Sequence, residues 1–509
     1  MPHASHNQPW WASRSQCREF KTLDGNLEVD VAVVGAGITG LTTAVLLQDL
    51  GRSVAVFEMG TVGAGTTGYS TGHLDNWFDE MWHVAIQKFG ESRARLVAEA
   101  RTTAIDVVER WDSEFGIGAD FRRVPAYLYA EDAGSVGQLH KELQASQKIG
   151  LNVEKIDQAP LPFPHQWAVM SPQMARINPL QYVCGLARVF TERGGMLFED
   201  TRAENFKEDD SGVCTVPTNR GTVTSKAVGL CGHAALFGMY TIEPRVYPHQ
   251  SYVIAARVEE QLPDALYWDM ASPYHYTRLA AADEPNLLII GGADHPTGHK
   301  MDTNESYRRL EEYIRDRYTV RQIEQRWSHE YFTTADTLPF IGRVPDHDNI
   351  YEATGFSGDG LTFGTAAGIL MADLIAERPN EWAGVFTPAR VKPVASAGRL
   401  GSGVFHMAWH YLGGRFKSGD DIQALEQLKS GEGGVITIEK EKYAVYRDEA
   451  GELHSMTPVC QHMGCIVHWN NAEKTWDCPC HGGRYSCYGD VISGPPKKPL
   501  AAKPIQQPV

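Results

Sequence analysis

Residues 29–40 read Val29-Asp30-Val31-Ala32-Val33-Val34-Gly35-Ala36-Gly37-Ile38-Thr39-Gly40. An apolar run of strand type passes at once into spaced glycines. The glycines open a helical pattern, Leu41, Ala44, Val45, Leu47 and Leu50, that stops at Gly51. A second strand-like run, Ser53 to Phe57, ends at Glu58 and Met59. Strand, glycine turn, helix, strand and terminal carboxylate, in that order, mark a dinucleotide-binding βαβ unit. Gly35 makes the turn, Gly37 lets backbone approach a pyrophosphate, and Gly40 lets helix and strand pack. The turn through Ala36, Ile38 and Thr39 presents a helix N-terminus to the phosphates. Glu58 can accept from ribose hydroxyls, which disfavours a 2′-phosphate. A glycine turn with no ligand is the plainer alternative.

Toward the other end, Cys460-Gln461-His462 is followed by Cys478-Pro479-Cys480-His481. Two thiolates and two imidazoles in this arrangement suit a two-iron cluster in which one iron takes cysteines and the other histidines. Gly464 and Gly482-Gly483 follow the two pairs and permit tight loops. Cys465 and Cys480 stand one in each loop, where a disulfide could join them. A structural zinc site is the competing use of such residues. The region resembles the Rieske proteins of respiratory and photosynthetic electron transfer, with Gly494-Pro495-Pro496 as a third loop over the cluster. That resemblance implies Cys460, His462, Cys478 and His481 as ligands of a [2Fe-2S] cluster and Cys465–Cys480 as a disulfide. It also implies that Tyr485 hydrogen-bonds a ligand sulfur. Gly483 stands where high-potential members carry a donating serine, so a potential below the top of the roughly −150 to +300 mV span is expected.

Two further stretches bear on the dinucleotide. Gly63-Ala64-Gly65-Thr66-Thr67-Gly68-Tyr69-Ser70-Thr71-Gly72-His73-Leu74 is dense in small and hydroxylated residues, as a backbone pressed on a cofactor or a flexible loop would be. Thr354-Gly355-Phe356-Ser357-Gly358-Asp359-Gly360-Leu361-Thr362 leads into an apolar helix. With the opening fingerprint, these segments resemble the D-amino-acid oxidase and sarcosine oxidase group of flavoproteins over residues 28–390. Leu288 to Gly292 and Thr337 to Gly342 match strands of that group. The resemblance implies FAD held by the fingerprint, by Gly65 to Thr67, Thr71 to Leu74 and Gly232, and by Gly355, Phe356 and Gly358 to Thr362. A helix N-terminus there would stabilise the reduced ring. Some relatives attach flavin through a histidine, but Tyr69 takes that place here, so non-covalent FAD is expected.

The expected fold is an α/β Rossmann-type FAD domain with an interleaved α+β substrate domain, followed by a C-terminal all-β Rieske domain. The FAD half should use about 28–90, 170–240 and 330–390, and the substrate half, helical at first, about 90–165 and 245–330. A linker should occupy 391–430, docked by Trp409, Tyr411 and Leu412, and the Rieske domain 431–509. In the chain Tyr274-His275-Tyr276-Thr277-Arg278, period two puts Tyr274, Tyr276 and Arg278 on one face. By resemblance this strand lines the substrate cavity and Arg278 clamps a carboxylate; a surface or ion-pair role is equally open. His73 is a candidate acid or base.

Together these parts describe a two-to-one electron converter. An amine or amino acid is oxidised at FAD, and electrons leave singly through the cluster to an external acceptor, such as a one-electron partner protein. An oxidase with a structural or sensing cluster, and a flavin and Rieske carrier without its own substrate, are the rivals. A Rieske dioxygenase needs a further iron domain, yet only residues 482–509 follow His481. The 509 residues are 42% hydrophobic and 22% charged, ordinary for a globular protein, and carry a formal charge of −16. That charge argues against nucleic acid and acidic membranes. With no apolar run long enough for a membrane span and no export signal, a cytoplasmic protein is expected. Cys17, Cys184, Cys214, Cys231 and Cys487 are then expected to remain unpaired.

Overall fold

The computed structural model describes residues 7–237, 242–390 and 422–505. Most of the expected linker, with Trp409, Tyr411 and Leu412, lies outside the described residues. The apolar run Leu27–Val34 forms the middle of an eight-stranded sheet. It pairs in parallel with Val54–Phe57 on one side and Gly221–Leu230 on the other. Met196–Phe198 and Ile350–Thr354 extend the parallel core, and Phe340–Arg343 closes one edge antiparallel. Central strands buried on both faces read as continuous apolar runs, as Val31 to Val34 and Val54 to Phe57 do.

Helix Ile38–Asp49 follows the glycine turn and packs along helix Gly360–Ile375. Both helices are buried nearly all round, so both start beside the same region of the sheet. Gly35, at φ +102°, faces Cys231 O across the turn, where a side chain has no room.

The substrate half is a nine-stranded, mostly antiparallel sheet. It runs from Val320–Thr334 through Val246–Val258, Leu287–Pro296, Tyr276–Leu279 and Leu266–Asp269 to Arg122–Tyr129 and Ala168–Arg176. Three boundaries differ from expectation. Ala168–Arg176 pairs with Arg122–Tyr129 and so belongs to this sheet, not to the FAD half. Within 90–165, helices Glu91–Glu114 and Val136–Lys148 flank the strand Arg122–Tyr129, whose alternation of buried positions is a strand's. The strand expected from Tyr274 begins at Tyr276.

Residues 433–505 form two small sheets, Gly433–Ile438, Glu441–Arg447 and Leu453–Met456 in one and four short strands from His468 to Ser493 in the other. The hairpin at Asp448 to Gly451 forms as its turn residues imply. Among the described residues no helix is long and apolar enough to cross a membrane. Cys465 and Cys480 are bridged. Against expectation Cys17 and Cys184 also pair, with Cα atoms 5.0 Å apart, because the N-terminal segment packs on helix Pro179–Glu192.

Candidate functional site

A long cavity runs over the C-terminal ends of the parallel strands. One end is walled by Glu58, Met59 and Thr201 to Ala203, and the middle by Gly35, Gly37, Ile38 and Thr39 with Gly65 to Thr67. The other end is walled by Ser328 to Phe332 and by Phe356, Gly358, Gly360 and Leu361. Gly232 also lines it. Ala36, Gly40, Thr71 to Leu74, Gly355, Asp359 and Thr362 stand behind this wall. Gly40 abuts Gly35 O and serves helix packing, and Ala36 N donates to Glu58 Oε2 at 2.9 Å. Burial pushes the Glu58 carboxyl above its ordinary value.

The residues fit an extended dinucleotide. A Cβ on Gly37 would fall 3.0 Å from Thr67 Oγ1 and crowd the turn where a phosphate would lie. Two helix N-termini converge on the cavity, a favourable setting for anionic groups. At the ring end, His233 Nε2, His329 Nδ1 and Glu330 Oε1 are buried with no protein partner. Burial lowers both imidazoles to about 4, so the rings are neutral hydrogen-bonding groups.

Beside Gly358 lies a polar group made by Asp79 and Tyr274 from loops and by Asp294 and Tyr331 from the nine-stranded sheet. Asp79 accepts from Gly358 N at 2.8 Å and from Tyr274 O–H at 3.1 Å. Tyr331 O–H donates to Asp294 at 2.9 Å. Burial is the main cause that pushes Asp79 up to about 7 and Asp294 up to about 6, each aided by a neighbouring carboxylate. Behind them Arg101 bridges Asp75 and Asp359.

The three expected catalytic residues fare differently. Tyr276 is buried, its hydroxyl 3.1 Å from Ser251 Oγ, and desolvation raises its pKa, so it stays neutral. His73 packs edge-on to Tyr276 and Trp268, with Nδ1 3.0 Å from Thr71 Oγ1. Burial, then the charge of Arg278, hold its pKa well below the ordinary value, so it is a neutral ring. Arg278 is 1% exposed and donates to the carbonyls of Thr71, Ile177, Leu279 and Ala280. Burial lowers its pKa to about 9. This differs from the carboxylate clamp expected of it: the guanidinium pins the Thr71-Gly72 loop to the sheet.

The cluster loops fold as their residues imply. Tyr485 O–H lies 3.2 Å from Cys460 Sγ and accepts from Gln461 N at 2.9 Å. Cys460 and Cys478 are close enough to share a hydrogen bond, which lowers the Cys460 thiol below its ordinary value. His462 and His481 stand with ring centroids 5.1 Å apart. His462 Nδ1 is buried with no protein partner, so the donor set of a two-iron centre is present with an inward nitrogen free for iron. Gly483 lies 3.6 Å, at its virtual Cβ, from Cys460 Sγ and under the Pro496 ring, which leaves no room for a serine.

The two centres share a wall. Arg484, Ile492 to Pro496 and Lys497 of the cluster domain line the same cavity as Gly35 and Phe356. A Cβ on Gly482, next to His481, would fall 2.6 Å from Glu330 Oε1 and 3.0 Å from Phe332 Cζ, both cavity-lining residues. The third cluster loop thus borders the cavity directly, and the His481-Gly482 loop packs behind the lining residues Glu330 and Phe332. Asp294, with His295, is a weaker sequence candidate for the substrate site, whereas no sequence motif marks Ser328 to Phe332, Asp79 or the Ile492 to Lys497 contribution; the mixed polar and aromatic run Ser328-His329-Glu330-Tyr331-Phe332 inside a strand is a clue to the first of these.

Fold and site together define a flavoprotein oxidoreductase joined to a Rieske domain. The family described as FAD dependent oxidoreductase matches residues 30–374, and the Rieske [2Fe-2S] domain matches residues 421–504. The chain belongs to the FAD dependent oxidoreductase family, its cofactors are FAD and a [2Fe-2S] cluster, and it is an enzyme. It is 31% identical over 497 residues to the putative Rieske 2Fe-2S iron-sulfur protein YhfW of Bacillus subtilis, covering 97% of each chain. It is 26% identical over 395 residues to the gamma-glutamylputrescine oxidoreductase of Escherichia coli, covering 73% of this chain and 90% of that one. Glycine oxidase from Geobacillus kaustophilus shares the fold with a TM-score of 0.62 at 21% identity, over 72% of this chain and all of the other.

Proposed function

We propose that the chain oxidises the C–N bond of an amine or amino acid at non-covalently held FAD and passes the electrons singly, through the Rieske cluster, to an external acceptor. The observation that carries this reading is the shared wall, in which the third cluster loop closes the cavity of the flavin half. FAD supplies a hydride acceptor and the cluster a one-electron carrier. The chain's own residues supply the rest. Gly35, Gly37 and the helix N-termini hold the phosphates, and Phe332, Phe356 and Pro495 keep water from the ring end. Next to the cavity-lining Gly358 and Tyr331, the carboxyls of Asp79 and Asp294 are acceptors at hand for an ammonium group. With Arg278 engaged by backbone, these residues favour an amine over a carboxylate-bearing substrate.

The test is anaerobic reduction of the holoprotein with a panel of amines and amino acids, following flavin bleaching and the reduced cluster's paramagnetic signal together. Both should change, amines acting better than α-amino acids. Bleaching with a silent cluster would instead indicate an oxidase, and no bleaching with any amine would indicate a carrier.

A further inference from the structure

We propose that Glu243, a residue of the flavin half, sets the reduction potential of the cluster by placing its carboxylate against the outward edges of both histidine ligands. Glu243 begins the short turn Glu243–Arg245 that leads into strand Val246–Val258. It is 6% exposed. Its Oε1 lies 3.0 Å from His462 Nε2 and 4.0 Å from His481 Nε2. That oxygen has no aligned hydrogen-bond donor, so it sits across the two ring edges instead of along one N–H. The inward nitrogen, His462 Nδ1, is the one left without a protein partner. The ring thus presents one nitrogen to the iron and the other to Glu243.

The same three atoms are close enough to grip a cation. With Nδ1 on iron, however, each Nε2 carries a proton and is a donor, which removes that use. A negative charge 3.0 Å from the outer nitrogen of one iron-binding histidine and 4.0 Å from that of the other, away from bulk water, would be weakly screened. Reduction adds an electron beside it and becomes harder. Among the described residues, Glu352, pushed up to about 8 chiefly by burial, and Lys497 also interact with Glu243. Gly483, which denies the cluster a serine donor, pushes the potential the same way. Because the carboxylate belongs to the flavin half, the value is reached only when the two halves are docked.

Glu243 is a positioning residue, and its signature is a potential. The holoprotein, its E243Q variant and its E243D variant would be titrated with redox mediators, reading the cluster by its reduced paramagnetic signal and the flavin by absorbance. E243Q keeps the shape and removes the charge. Its cluster should become easier to reduce by at least tenfold in equilibrium constant, 59 mV upward for a one-electron couple, with the flavin midpoint unchanged. E243D withdraws the charge by one methylene and should give a smaller upward shift. An E243Q midpoint within twofold of the parent's overturns the proposal. So does an equal shift of flavin and cluster, or an E243D variant that shifts as far as E243Q or, when E243Q loses its cluster, not at all.

Discussion

Arg278 shows what a residue's partners decide. Its strand follows from the pattern Tyr276-Thr277-Arg278, but its burial and its role depend on carbonyls brought from Thr71, Ile177 and Ala280. Those come together only in the fold, so sequence spacing could not tell a ligand clamp from a loop anchor. Arg278→Ala should destabilise the protein by about 3–5 kcal/mol, because buried carbonyls lose a charged donor, with denaturant melts as the measure. Arg278→Lys should recover little, since one ammonium cannot span the fork of acceptors. The two acidic groups make a second prediction at this scale. Asp79 and Asp294 have carboxyls raised to about 7 and about 6. They are neutral below pH 6 and become anionic as pH rises through those values. Tetramethylammonium, whose charge is fixed, should therefore perturb the flavin spectrum with a Kd that falls several-fold between pH 5.5 and 8. A Kd flat across that range would leave the carboxyls no part in cation binding.

At the scale of elements, the legible parts were those with strong local grammar. The unit Leu27–Val34, Ile38–Asp49 and Val54–Phe57 could be read because strand, turn and helix each carry their own signal and agree. The cluster loops could be read because metal ligands leave a spacing. The expected FAD-half boundary at about 170 cuts through the strand Ala168–Arg176, which pairs with Arg122–Tyr129, because nothing in its composition says which neighbour it pairs with, and pairing is a tertiary fact. The glycine turn permits a sharp test. Gly35→Ala places a methyl group against Cys231 O at φ +102°, so the turn must open where the phosphates bind. The variant should purify with FAD lost or its affinity reduced at least tenfold, measured by flavin content and fluorescence, while the cluster's absorption persists because the Rieske loops make no use of that turn.

For the whole molecule, the decisive feature is the contact between the halves, and sequence carries no sign of it. Its residues are scattered and ordinary. The Thr303 hydroxyl reaches Asn470 Oδ1 at 2.7 Å and Asn471 Oδ1 at 2.6 Å, and accepts from Ala472 N at 3.0 Å. Tyr307 O–H donates to Glu473 at 2.6 Å, and His468 Nδ1 meets Gly298 O. Each of these hydrogen bonds is modest alone, but together they fix the cluster domain where its third loop meets the cavity. Thr303 is 3% exposed and touches neither cavity nor cluster ligands. Thr303→Lys would bury an ammonium among amide groups or force the halves apart, and the second outcome costs less than an unpaired buried charge. Weakening the docked state by only 1.4 kcal/mol changes its population ratio tenfold. Rapid mixing with an amine substrate should then show flavin bleaching at the parent rate and cluster reduction at least tenfold slower. Were both signals to remain in step at the parent rate, electrons would not need the docked arrangement, and the shared wall would lose its functional meaning.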